Sequence, residues 1–304
     1  MSSSREVFRR QLDQKDPRRH RKDTHAEDHL NATSTELAGK HRPMAIFAFD
    51  HIGHAINVHG TYEKDELETL FAWLHQAAPS LFTGTALDIG ANIGNHALFF
   101  ADHFRDVIAF EPNPRVFALL RLNAELAPNI SCRDYGLSVQ EQQLGFRINP
   151  SNIGASHIVS HADEATTTIH LRPLDAEFAA RRDITFMKVD VEGHEFEALS
   201  GARQVIASNQ PVIFFEQQES EIENGTSATI ELLRSLGYRT FAMMVRETDR
   251  RRFKTRLARN LYRIYFNTVR GWREKIQYAI VLTDHFDKRF HPGVIALPDH
   301  LGIR

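Results

Sequence analysis

From residue 85 onward, short apolar runs of strand length alternate with amphipathic stretches of helix length. This rhythm restricts the fold more than any other feature of the chain. Thr85–Ile89, Val107–Phe110, Ile184–Val189 and Pro211–Phe215 have the length and apolar character of buried strands, and Ile130–Arg133 reads as a further strand. Between them, Gly94–Phe104, Pro114–Ala127, the stretch through Phe196, Leu199, Val205 and Ile206, and Ser227–Leu236 are expected as helices. Leu144–Ile148 and Thr166–Leu171 add strands around a loop rich in Ser, Asn, Gly and His. Tyr238–Val245, Tyr278–Leu282 and Val294–Leu297 are late strands, one of them an antiparallel edge. Such alternation predicts an α/β fold with a doubly wound, mostly parallel sheet between two helix layers.

Three segments frame this core. Residues 1–43 are polar, charged and aperiodic, and read as a disordered tail. Residues 44–84 predict a hairpin, Met44–Phe49 with His54–Val58, and then a helix from Thr61 with Leu67, Leu70, Phe71 and Leu74 on one face; both pack on the domain at 85–304. Within that domain, residues 246–275 carry eleven Lys/Arg against three Asp/Glu, whereas 44–245 carry 13 against 26. The near-neutral total thus hides an acidic body and one basic insertion, expected as a helix with Phe253, Leu257, Leu261, Ile264 and Tyr265 at helical spacing. A single cysteine, Cys132, excludes a disulfide framework and a cysteine-based zinc cluster. No apolar run reaches the roughly 18 residues of a membrane span, and the polar N-terminus has no signal-peptide core, so a cytoplasmic location is expected.

In an open α/β sheet, ligands bind beyond the carboxyl ends of the strands. The loops predicted there are dense in chemistry. Asp88-Ile89-Gly90-Ala91-Asn92-Ile93-Gly94 spaces its glycines as G-x-x-x-G behind an acidic residue. A dinucleotide site would show G-x-G-x-x-G for a pyrophosphate. This spacing suits a ligand with a cationic amine and no phosphate, such as S-adenosylmethionine. About 20 residues on, Glu111 and Pro112 follow the second strand, where a carboxylate bonds ribose hydroxyls. Lys188, Asp190, Glu192 and His194 alternate off another strand end, and Pro211–Phe215 delivers Glu216 to the same edge.

The D-I-G-A-N-I-G loop, the A-F-E-P-N-P turn, the K-V-D-V-E-G-H-E segment and the P-V-I-F-F-E strand, in this order, resemble the FkbM family of S-adenosylmethionine-dependent methyltransferases over about residues 60–245. The resemblance implies a class I methyltransferase (Rossmann-like) fold, with a seven-stranded sheet whose last strand is antiparallel. It implies methyl transfer to a hydroxyl of a sugar, polyketide or other small metabolite. Carried over by position, Asp88, Gly90, Ala91, Asn92 and Gly94 surround the methionine portion of the cofactor. Glu111 holds the ribose, while Pro112, Asp134 and Tyr135 border the adenine. Asn152, Gly154 and Ser156 lie near the substrate. The tail and the basic insertion fall outside the resemblance.

Alcohol methylation needs an aligned acceptor and a group to take its proton. Asp190, Glu192, His194 and Glu216 are the candidates, with Asp190 nearest the reacting atoms and His194 or Glu192 as base or orienter. Structural readings stand beside these: Asp190 pairs with Lys188, His194 is a solvated first-turn residue, and Glu216 bonds backbone amides. The carboxylates also suit Mg²⁺, but the sequence shows no dedicated cage and no metal is expected. The basic insertion caps the site, packs on the acidic body or lies on anionic membrane; nucleic acid is not expected as a partner. An NAD-dependent oxidoreductase or epimerase, and a non-catalytic S-adenosylmethionine-binding protein, are the alternative functions.

Overall fold

The computed structural model describes residues 42–48, 50–147, 157–158, 166–246 and 278–303. Residues 1–41 of the expected tail, the loop residues Asn152, Gly154 and Ser156, and the basic stretch beyond Arg246 lie outside them. The chain divides into two units, Met1–Met44 and Ala45–Arg304, and the following concerns the second. Its elements begin with α1 (His51–His59), α2 (Lys64–Ala77), β1 (Thr85–Ile89), α3 (Asn95–Ala101), β2 (Asp106–Phe110), α4 (Pro114–Ala124) and β3 (Ile130–Arg133). Next come β4 (Gly136–Leu137), β5 (Gln142–Arg147), β6 (His157–Ile158), β7 (Thr167–Arg172), α5 (Asp175–Phe178), β8 (Ile184–Val189), α6 (Glu195–Ser200) and α7 (Arg203–Asn209). The last are β9 (Val212–Gln217), α8 (Ala228–Ser235), β10 (Thr240–Arg246), β11 (Tyr278–Thr283) and β12 (His291–Leu297).

The main sheet has the order β11-β10-β12-β9-β8-β1-β2-β3. The five strands from β3 to β9 run parallel, while β12 is antiparallel to both β9 and β10. The sheet therefore holds eight strands, not the expected seven. The antiparallel β12 is inserted between β9 and β10, and the edge strand β11 is a further antiparallel addition. Because β10 points the same way as β8 and β9, Arg246 at its end lies at the carboxyl edge of the sheet, paired with Tyr278. The described residues that flank the basic insertion, Arg246 and Tyr278, thus both lie at that edge. A second sheet, β4-β7-β5-β6, lies apart from the first in pairing.

Both faces of the main sheet are apolar and covered, which is why its strands read as continuous hydrophobic runs. Alternate side chains feed two cores. Leu87, Ile108, Met187 and Ile213 pack with α6, α7 and α8, whereas Ala86, Val107, Phe186 and Val212 pack with α2 and α3. Phe71 of α2 is the hub of the second core. It stacks on Phe100 at 5.5 Å and meets Phe99, Phe104 and Phe186 edge-on at 4.9–5.9 Å.

Two local expectations fail for physical reasons. Residues 51–59 form helix α1, not half of a hairpin. Asp50 caps it by accepting from the amides of Ile52 and Gly53, and Gly60 closes it in the left-handed region. A run this short satisfies both periodicities, and only the buried pair Gly53 and Ile56 shows the helical one. The single helix expected after β8 is split into α6 and α7 at Gly201-Ala202. There a Cβ on Gly201 would stand 2.0 Å from the Ser138 carbonyl oxygen, and Asp175 accepts from the Gln204 and Val205 amides to start α7 afresh. Phe71→Ala should destabilise the protein by about 3–5 kcal/mol, read as a lower midpoint in urea with an unchanged slope.

Candidate active site

Strand order reverses about β1, whose neighbours are β2 and β8, so a crevice opens at their carboxyl ends. A cavity of about 200 Å³ lies there. The loop after β1 sits tightly against the end of β8: a Cβ on Gly90 would lie 1.8 Å from the Asp190 carbonyl oxygen. Gly90 has φ 83°, and Asn92, also left-handed at φ 51°, turns its own amide toward the second loop. The Gly90 and Ala91 amides both donate to the Phe110 carbonyl, at 3.1 and 2.9 Å.

Glu111 joins the two loops. One carboxylate oxygen accepts from the Asn92 amide at 3.0 Å and the other from the Asn113 amide at 2.8 Å, and the residue lines the cavity. Burial pushes its carboxyl up to about 7, against the pull of those two amides. Pro112, Gly136 and Leu137 continue the wall. Phe146 of β5 with Ile169 and Leu171 of β7 closes it with an apolar face from the second sheet.

The third loop brings Asp190, Glu192 and His194 to the same cavity, and β9 brings Glu216. Lys188 is 3% exposed and donates to Asp190 at 2.8 Å. Burial opposes its charge, but Asp190 and Asp88 hold its pKa above the ordinary lysine value. Glu216 is pushed up to about 9, first by burial and then by the Asp190 charge. Burial lowers the His194 pKa, and its Nε2 lies 3.1 Å from Ser138 Oγ.

Five of the expected cofactor contacts line the cavity: Gly90, Ala91, Asn92, Glu111 and Pro112. Four do not. Asp88 is fully buried in β1, opposite Lys188 in strand register, and neither carboxylate oxygen has a hydrogen-bond partner. Gly94 turns away, its Cβ position 2.9 Å from Leu120. Asp134 is exposed, and Tyr135 is buried beneath the wall with its hydroxyl donating to Glu177, so Gly136 and Leu137 stand where these two were expected.

The cavity also has walls the sequence reading missed. Tyr62 and Glu63 come from the segment before α2, and His96 from the first turn of α3. Asn95 accepts from the Tyr62 amide at 2.9 Å and donates to the Tyr62 carbonyl at 3.1 Å. His96 Nε2 lies 3.2 Å from Glu63. The period-2 pairs Leu144/Phe146 and Ile169/Leu171 were the available signal for the apolar wall; nothing local marked Glu63. Among the described residues, no group of three or more His, Cys, Asp or Glu is arranged to hold a metal, and no helix is long and apolar enough to cross a membrane.

The raised carboxyls give stability a definite pH dependence. The folded chain keeps the protons of Glu111 and Glu216 that the unfolded chain releases near pH 4.5, so stability falls as pH rises through about 7 and on to about 9. Melting curves across this range should show the wild type losing Tm between about pH 7 and 9, and Glu216→Gln flattening that decline.

Hexuronic acid methyltransferase AglP of Haloferax volcanii is 37% identical over 131 residues, which cover 41% of this chain and 53% of that protein. The chain thus spans about half the length of this curated relative. Among solved structures, methyltransferase FkbM from Methylobacillus flagellatus has 20% identity and a TM-score of 0.35, covering 52% of this chain and 39% of that one. A TehB-like S-adenosylmethionine-dependent methyltransferase from Corynebacterium glutamicum has 10% identity and a TM-score of 0.37, covering 90% and 99%. The family model of the methyltransferase FkbM domain matches residues 88–240, half of the chain, and the chain belongs to that family.

Proposed function

We propose that the protein is an S-adenosylmethionine-dependent methyltransferase acting on a hydroxyl of a sugar or a similar small metabolite. The observation that carries this is Glu111. Both of its oxygens are fixed by main-chain amides, and its carboxyl lines the cavity where it can hydrogen-bond a ribose diol. The remaining walls fit the same cofactor: Phe146, Ile169 and Leu171 offer an apolar surface to a purine. A dinucleotide fits less well. Tyr62 and Glu63 occupy the start of α3, where a pyrophosphate would lie, and Glu63 is held ionised. The relative named for a hexuronic acid supports a sugar as acceptor.

Bound S-adenosylmethionine supplies an electrophilic methyl group on a sulfonium. The protein's part is to align the acceptor oxygen and receive its proton. Asp190, steadied by Lys188, orients the hydroxyl from the end of β8. Glu216 keeps its proton at neutral pH and can donate a hydrogen bond to a second acceptor oxygen. His194, kept neutral by burial, takes the hydroxyl proton. Turnover should therefore fall as pH drops through the His194 pKa, below its ordinary value.

Titration calorimetry should show binding of S-adenosylmethionine and none of NAD; the reverse result overturns the reading. Release of S-adenosylhomocysteine should then be followed with neutral sugars, uronic acids and nucleotide-linked sugars. With the acceptor that responds, Asp190→Asn should lower kcat by about 10²-fold or more while cofactor affinity stays near the wild-type value. Full turnover by that variant would remove Asp190 from the mechanism.

A further inference from the structure

The burial of Asp88 leaves an open place in the site. The resemblance assigns the methionine end of the cofactor to a loop whose acidic residue is 0% exposed, opposite Lys188, and does not reach the cavity. A buried ammonium needs a carboxylate partner. Among the other carboxyl groups that line the cavity, Asp190 is already engaged by Lys188 at 2.8 Å, Glu111 is held by two amides on the far side of the glycine loop, and burial drives Glu192 and Glu216 toward their neutral forms.

Glu63 lines the same cavity, and its nearest cationic partner there is a histidine, His96, not a lysine. Glu63 stands at the first position before α2, where a residue is normally extended and caps the helix with its side chain. Instead its backbone is left-handed, φ 56° and ψ 31°, and it makes no capping bond. That conformation is costly for a residue with a Cβ and persists where the surroundings enforce it. The enforcement is visible: Asn95 grips both the amide and the carbonyl of Tyr62, tying this turn to the residue that follows Gly94. The result turns the Glu63 side chain from the helix end into the cavity, 3.2 Å from His96. His96, with Lys188 and the Tyr62 hydroxyl, keeps the carboxyl below the ordinary glutamate range despite its burial, so the group is an anion.

We propose that the Tyr62-Glu63 turn, held by Asn95, is the binding site for the α-ammonium group of the cofactor's amino-acid end, in place of Asp88. This inference rests on the cofactor reading above and goes beyond it, since it assigns recognition to a segment outside the residues the family model matches. The strain at Glu63 is then the cost of aiming a charge at the ligand instead of at the helix.

The test is a set of direct binding titrations on the full chain with three probes. S-adenosylmethionine and S-adenosylhomocysteine carry the ammonium; 5′-methylthioadenosine has the same adenosine but no amino-acid end. Glu63→Gln should weaken the first two by about tenfold and leave the third within about twofold. Glu63→Gly, which suits the left-handed backbone, should show the same selective loss while melting no lower than Glu63→Gln. Equal losses on all three probes, or none on any, would overturn the proposal. Failure of the wild type to bind any of the three would instead overturn the cofactor reading, and this proposal with it.

Discussion

The contact between Gly90 and the carbonyl of Asp190 is the constraint on which the site depends. The ladder between β1 and β8 continues past the strands, with the Asp190 amide donating to the Ile89 carbonyl at 3.0 Å. The loop after β1 must then bend away at once, and only a residue without a Cβ can do so at that distance. Everything else in the crevice is placed relative to this bend. It lets the Gly90 and Ala91 amides reach Phe110, brings Asn92 to Glu111, and sets Asp190 at the mouth of the cavity.

Two buried asparagines extend the same economy to the N-terminal segment. Asn95 holds Tyr62 by both main-chain groups, and Asn123 holds Ala45 in the same way while also donating to the Ile93 carbonyl. Each is a side-chain amide imitating a strand neighbour, satisfying a backbone that has no sheet partner. Through them a segment with no regular pairing becomes one wall of the cavity.

Charge in the crevice is managed by depth. Asp88 and Lys188 face each other from adjacent strands beneath the cavity, and Lys188 lends its proton-rich end to Asp190 above. Glu216 and Glu111 lack a cation of comparable closeness, and burial drives both toward their neutral forms. The site therefore offers both hydrogen-bond donors and acceptors from one residue type, which suits a ligand rich in hydroxyls.

Much of this was legible along the chain. Strands β1 and β8 occupy the residues read from their apolar runs, because a strand buried on both faces shows itself as an unbroken run. That Gly90, Glu111, Asp190 and Glu216 line the crevice was legible because loops at strand ends border it in such a fold. The same unbroken run concealed the burial of Asp88: all five residues of β1 are buried, so no alternation tells which side chain faces a ligand. Helix α1 lies in a run too short to fix its period, whereas the break at Gly201 and the Tyr62 wall depend on contacts with distant residues. Tyr62 meets Asn95 across 33 positions and Ala45 meets Asn123 across 78. The sequence alone determined the parallel core and the loops that border its crevice, since local apolar pattern and turn chemistry suffice for both. Only the tertiary structure decided which carboxylates stay charged and that Glu63 stands among them, because ionisation follows burial and neighbours that no local pattern encodes.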